Sequence, residues 1–284
     1  MRVPMQKKTD GLLDIIRTRA LDNCPRVALG VRNPTPKLIQ SAEKAQVEGY
    51  ARVVLIGNQR EISAIGTNLE VIDTPQPEKV LGSLLASGDV DAAVRGTAKA
   101  SGTLSHLKEV LGIEKLYRVA FLLTHDNNPF FLAPVGIDEG HSLSDKIELV
   151  QRSAAYIRRF GIEPEIGILS GGRMGDLGRD ERVDRTLADA DFLANRLNDA
   201  GIDAKHYTIL IEDAIRKSNF ILAPDGISGN LIFRSLVFLG GGNGIGAPVL
   251  LDKHVFIDTS RAGGHYTLAI MLAASLVSNK KEVV

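Results

Sequence analysis

The residues best suited to chemistry stand just after short apolar runs. The run 255–257 is followed by Asp258-Thr259-Ser260-Arg261-Ala262-Gly263-Gly264-His265. A hydroxyl beside a guanidinium suits an acyl phosphate or a pyrophosphate, because arginine grips an oxyanion through two parallel N–H donors. Ser260 and Arg261 are therefore the candidate catalytic residues. His265 supplies an imidazole, the side chain most used for proton transfer, although a lone histidine here reads more often as a helix-start residue. Ser260 lacks a Gly-x-Ser-x-Gly setting, which disfavours a nucleophilic hydrolase.

Three further loops carry polar groups in the same position. After 92–94 comes Arg95-Gly96-Thr97-Ala98-Lys99-Ala100-Ser101, just before a helix start, where anions are favoured. Arg95, Gly96, Thr97 and Lys99 read equally as an anion cradle and as an ordinary strand–helix turn with solvated cations. After 165–169 comes Ser170-Gly171-Gly172-Arg173-Met174-Gly175-Asp176. It lacks the Gly-Lys-Ser/Thr ending of a nucleotide loop, and Ser170, Gly171 and Arg173 read as a ligand loop of another kind. After 219–223 comes Pro224-Asp225-Gly226-Ile227-Ser228-Gly229-Asn230, in which Asp225 and Asn230 offer ligand contacts and Asp225 or Ser228 would equally cap the next helix. The glycine run at 240–246 follows a helix, so it is no dinucleotide fingerprint. Asp176, Asp180 and Asp184 recur every four residues, as on one helix face. Arg179, Arg182 and Arg185 interleave with them, so the segment reads as a salt-bridged first turn and no metal site is expected.

These loops must be positioned by the elements before and after them. Apolar runs at 26–31, 52–56, 92–95, 118–123, 165–169, 219–223 and 255–258 read as strands buried on both faces. Helical patterns fall at 11–22, 36–48, 77–87, 101–111, 143–160, 180–200, 227–239 and 266–278. Thr35-Pro36, and Ser144 ahead of Asp145 and Glu148, are start signals. The alternation predicts mainly parallel sheets with helices on both faces, and ligands beyond the carboxyl ends of the strands.

With 284 residues the chain is long enough for one large or two ordinary domains. Its formal net charge of zero argues against a nucleic-acid surface or an anionic membrane surface. The absence of tryptophan argues against a stacking platform for single strands. No apolar run approaches the roughly 18 residues of a membrane helix. Arg234 and Ser235 interrupt the nearest candidate, 231–239. No secretory leader is recognisable at the start of the sequence, so a cytoplasmic location is expected. Cys24 is the single cysteine and reads as structural.

The loops also carry a resemblance. Residues 219–230 resemble the phosphate acetyl/butyryltransferase pattern of an apolar strand, Pro-Asp, then Gly-Asn. Ile245-Gly246-Ala247-Pro248 looks like that family's Ile-Gly-Pro region, and Asp258-Thr259-Ser260-Arg261 like its Asp-Leu-Ser-Arg. Asp91-Ala92-Ala93-Val94-Arg95-Gly96 resembles its Asp-Ala-x-Val-x-Gly strand end, and 152–169 its helix, Gly-Ile-x-Pro and Leu-Ser strand. The resemblance runs from Asp91 to the C-terminus. It implies two α/β domains with mainly parallel sheets and an inter-domain cleft, as in isocitrate and isopropylmalate dehydrogenases. The first domain would be 1–133 plus 247–284, and the second, inserted one 134–246.

In the acetyltransferases an acidic residue lies a few positions beyond Ser-Arg and is thought to act as a base toward the coenzyme A thiol. Thr267 stands there in this sequence. The Ser/Thr-rich loop after the Leu-Ser strand is Gly-Gly-Arg, and the loop after Val94 has gained Arg95 and Lys99. A divergent branch, called methanogenesis marker protein 4 or methyltransferase Mtx subunit X and found in methane-producing archaea, is similar in length and in its modified loops. That similarity implies a methyltransferase-associated protein with a small anionic ligand, phosphate or coenzyme A, in the cleft. It also implies a methyltransferase complex as partner and a homodimer. The helix at 227–239 would serve an interface as readily as a core. An active phosphate acyltransferase and a metal-dependent dehydrogenase-like enzyme stand as the alternatives. The latter would draw on Asp176, Asp180 and Asp184 as ligands.

Overall fold

The computed structural model describes residues 11–260 and 265–277. They fall into two compact units, Leu13–Leu116 with 245–277, and Tyr117–Gly244.

The first unit contains α1 (Leu12–Asn23, whose first residue groups with the other unit), β1 (Arg26–Val31), α2 (Pro36–Val47), β2 (Arg52–Gly57), α3 (Gln59–Ile65), β3 (Glu70–Asp73), α4 (Pro77–Ser87), β4 (Ala92–Val94) and α5 (Ala100–Leu111). Its strand order is β3-β2-β1-β4-β11-β10, where β10 (Asn243–Val249) and β11 (Val255–Asp258) come late in the chain and α10 (Thr267–Leu276) closes it. All pairings are parallel except β10 with β11. β1, β4 and β11 thus end on the same edge. Ala28, Val54, Ala93 and Phe256 on the strands pack with Leu81, Leu85 and Leu107 of α4 and α5. A face this apolar on every strand is what a parallel sheet covered by helices requires. α10 is buried from Ala269 to Leu276 and packs on α2, β4 and β11.

The second unit contains β5 (Ala120–Leu123), β6 (Pro129–Ala133), α6 (Leu143–Arg158), β7 (Glu165–Ile168), a 3-10 turn (Met174–Asp176), α7 (Glu181–Asp199), β8 (Asp203–His206), α8 (Ile211–Lys217), β9 (Phe220–Leu222) and α9 (Gly226–Phe238). Its order is β5-β6-β9-β7-β8, parallel except for the β5–β6 hairpin. That hairpin lies between the expected change of domain near Pro134 and the observed change at Tyr117. It sits with this unit because β6 hydrogen-bonds alongside β9, with Phe131 opposite Phe220.

The elements absent from the sequence reading are β3, β6, β8, β10, α3 and α8. β3 and β8 are edge strands with exposed polar positions, so they lack the apolar run that marks a central strand. The cap of α6 is Ser142, which accepts from Asp145 N at 3.1 Å, and not the expected Ser144. Cys24 is exposed, at the end of α1 with a left-handed φ of 36°, so it is not a core thiol. No helix among the described residues is long and apolar enough to cross a membrane.

Candidate functional site

At the carboxyl edge of the first unit, the loop after β4 is built by internal bonds. Arg95 is 5% exposed. Its Nε donates to Asp258 Oδ1, one Nη to Ala98 O at 2.7 Å and the other to Thr259 O. The guanidinium predicted for a ligand thus ties the end of β4 to the end of β11. Thr97 Oγ1 accepts from Arg32 N at 2.9 Å and Asn33 N at 3.3 Å, which fixes the end of β1. Gly96 has φ 60°, and a methyl group there would overlap Gly30 O. Glycine is needed for this approach of two strand ends. Lys99 precedes α5; its amide donates to Glu78 Oε1 at 3.0 Å, and its side chain is exposed. Ser260 is half-buried beyond β11, and His265 is exposed beside α10. Arg261 lies outside the described residues. Gly96, Thr97, Lys99 and Ser260 share this edge. Thr259 Oγ1 donates to Gly96 O at 3.2 Å across it.

In the second unit the expected ligand residues are largely committed to local structure. Gly171 N donates to Thr186 Oγ1 at 2.8 Å. Arg173 is exposed and opens the 3-10 turn, its amide donating to Asp176 Oδ2 at 2.9 Å. Asp225 caps α9 through Ser228 N at 2.7 Å. Asn230 Nδ2 donates to Val135 O at 2.9 Å, which pins α9 to the loop after β6. Asp176, Asp180 and Asp184 do not share a helix face. Asp176 belongs to the 3-10 turn, Asp180 caps α7, and Asp184 accepts from Gly178 N at 2.9 Å. The backbone bond from Arg173 and the Arg179 guanidinium hold the Asp176 carboxyl below its ordinary range. Among the described residues no group of three or more metal-ligating side chains gathers.

Ser170 has a partner that the sequence did not suggest. Its Oγ lies 2.8 Å from His206 Nε2, and His206 Nδ1 lies 2.6 Å from Asp191 Oδ1. The distances are those of a serine–histidine–aspartate relay. The burial is reversed. Ser170 is 3% exposed, while the Asp191 side chain is half exposed. A nucleophile must face its substrate, so this chain of bonds locks the loops after β7 and β8. Ser170 N to Thr208 O at 2.8 Å adds to the lock.

No protein-family model matches the chain. It is 64% identical over 95% of its length, and 97% of the relative, to a Methanosarcina acetivorans protein named "putative methyltransferase mtx subunit X". A Methanosarcina mazei protein of the same name is 63% identical with the same coverage. The chain belongs to the Mtx subunit X family. Among solved structures, phosphotransacetylases from Streptococcus pyogenes and Staphylococcus aureus match with TM-scores of 0.67 and 0.66, at 18% and 15% identity. Each match covers 95% of this chain and 99% of the other. The Mtx subunit X family thus uses the phosphotransacetylase fold, as the ordered motifs implied.

In this member of the Mtx subunit X family, Thr267 has a structural task. Its Oγ1 donates to Ser41 O at 2.8 Å, next to the bond from Tyr266 N to Ser41 Oγ at 3.2 Å. Together they dock the start of α10 on α2. An acid in that place would set a carboxylate against a carbonyl oxygen. Two charged side chains passed over by the sequence reading are more deeply placed. Glu139 is 5% exposed and pairs with Arg118 at 2.6 Å; burial nevertheless raises its carboxyl above the ordinary range. Lys146, on α6, is 8% exposed, and burial lowers its amine against the pull of Asp189 and Asp225. A lysine at the start of an amphipathic helix reads as solvated, so only tertiary structure reveals it.

Proposed function

We propose that the chain is a ligand-binding subunit of a cytoplasmic methyltransferase assembly and that it takes a small anion, phosphate or the phosphates of coenzyme A. The place is the carboxyl edge of the first unit's sheet. The observation that supports this reading is the Arg95–Asp258 tie, which holds Gly96, Thr97, Lys99 and Ser260 on one edge. The first-turn amides of α5 have no acceptor within their helix, and Lys99, at the boundary of that helix, has an exposed side chain. Arg95 serves there as scaffold, while Lys99, Ser260 and Arg261 supply the contacts and His265 stands ready as proton acceptor.

The test is calorimetric titration of the full chain with inorganic phosphate and with coenzyme A. Binding of either is expected, and Lys99→Ala and Arg261→Ala should each weaken it about tenfold. Unchanged affinity in both variants overturns the assignment. The relatives' name supports a methyltransferase partner, which would co-purify with the tagged chain from native lysate. Robust turnover of acyl-coenzyme A with phosphate by the isolated chain would favour the acyltransferase alternative.

A further inference from the structure

In the second unit the chain leaves β7 toward β8 through α7 and leaves β9 through α9, which packs on β6. The two exits diverge. In open parallel sheets such a divergence opens a crevice beyond the strand ends, and ligands bind there. A cavity of about 10 Å³ lies at this point. That is room for about one water-sized group. Leu169 and Leu222 give it an apolar wall, while Lys146, Thr186 and Asp189 line it with polar groups.

Lys146 is the unusual member. Among the described residues its Nζ has neither a hydrogen bond nor an ion pair, although the residue is more than nine-tenths buried. Asp189 and Asp225 act on it through space without closing to ion-pair distance. One oxygen of Asp225 is occupied by Ser228 N, and Asp189 makes no hydrogen bond among the described residues. A largely buried lysine and a carboxylate that line one small cavity without pairing call for a bridging occupant.

Charge selects that occupant. Lys146 and Asp189 line the cavity together, and Asp225 also acts on the ammonium through space. An oxyanion would gain from Lys146 but meet both carboxylates, and a cation would gain from the carboxylates but meet Lys146. A hydroxyl escapes both penalties, because it accepts from an ammonium and donates to a carboxylate in the same geometry. We propose that this crevice binds the vicinal diol of a sugar, with Lys146 donating to one hydroxyl and Asp189 and Asp225 accepting from the pair. One hydroxyl enters the cavity and the rest of the sugar lies at its mouth. The chemistry is shared by a free sugar and by the ribose of a nucleoside.

Titration calorimetry of the full chain with adenosine, its dideoxy analogue and D-ribose tests this. Adenosine or D-ribose should bind, and adenosine's loss of both hydroxyls should weaken it about tenfold or more. Lys146→Met and Asp189→Asn should each weaken the bound probe about tenfold, with thermal unfolding checking that each variant is folded. Asp189→Asn carries the test alone if Lys146→Met does not fold. The affinity should fall as pH rises through the lysine's lowered range, and this dependence should vanish in Lys146→Met. Binding of D-ribose assigns a free sugar, and binding of adenosine alone a nucleoside. Failure of both to bind would mean a structural water only and would overturn the proposal. So would equal affinity for the dideoxy analogue, or variants that bind like the parent.

Discussion

An arginine directly after a strand looks the same in a sequence whether it awaits a phosphate or a carboxylate of its own chain. Arg95 has the carboxylate, Asp258, which lies 163 positions away in the chain. Both side chains are about nine-tenths buried. Removing one partner leaves a buried charge, so Asp258→Ala should lower unfolding free energy in urea by about 3 kcal/mol. Lys146 lacks such a partner and its replacement should act in the opposite sense. Lys146→Met should stabilise the fold at neutral pH by about 1 kcal/mol. The sign follows from proton binding. The folded amine titrates below the unfolded value of 10.5, so below that lowered range the full cost of the buried ammonium is present. As pH rises from there toward 10.5, only the unfolded chain still holds the proton, and the parent gains stability. The advantage of Lys146→Met in urea titrations should therefore shrink across that window, and a pH-independent difference would refute the account.

At the scale of elements, the close approach of the ends of β1 and β4 makes a test of what a glycine is for. Gly96 and Gly112 both have left-handed φ values, 60° and 65°. A methyl group on Gly112 would meet nothing within 4 Å, while one on Gly96 would overlap Gly30 O. Gly112→Ala should cost about 1 kcal/mol, the conformational term alone. Gly96→Ala should cost more than about 3 kcal/mol, because two strand ends must also separate. Thermal unfolding of the two variants reads the difference directly. The central strands β1, β2, β4, β7, β9 and β11 were legible because burial on both faces writes a continuous apolar run. β6 was hidden by Asn127-Asn128-Pro129, which reads as a break but forms the turn into that strand. There Thr124 Oγ1 accepts from Asn128 N at 3.0 Å. β10 was hidden by its glycines, one of which admits the side chain of Ile257. The loop residues named in advance do cluster at strand ends. Whether each is a ligand contact or a cap depends on distant partners, which sequence spacing does not carry.

At the scale of the molecule, α9 is the element whose composition and surroundings disagree. It is the Gly-Ile-Ser-Gly-Asn-Leu-Ile-Phe-Arg-Ser-Leu-Val-Phe helix, yet only Gly226 and Gly229 on it are buried. Those two glycines allow its first turns to lie against the backbone of the loop after β6, where a side chain would collide with Gly136 O and Pro134 O. Its large side chains face elsewhere. Ile227 and Leu231 are each 60% exposed, one helical turn apart, and Phe238 and Leu239 extend the apolar surface. Apolar residues so grouped mark an interaction surface more often than scattered ones do. A homodimer joined through this face, the assembly that the family resemblance implies, would cover it with a second copy of the same stripe, as a two-fold interface requires. Sedimentation velocity should then show a dimer for the parent chain. Leu231→Glu would place two like charges near the two-fold axis and should leave a monomer with an unchanged far-ultraviolet dichroism spectrum. A monomeric parent would reject the homodimer and leave the face to a methyltransferase partner, in which case Leu231→Glu should abolish co-purification and leave phosphate binding intact.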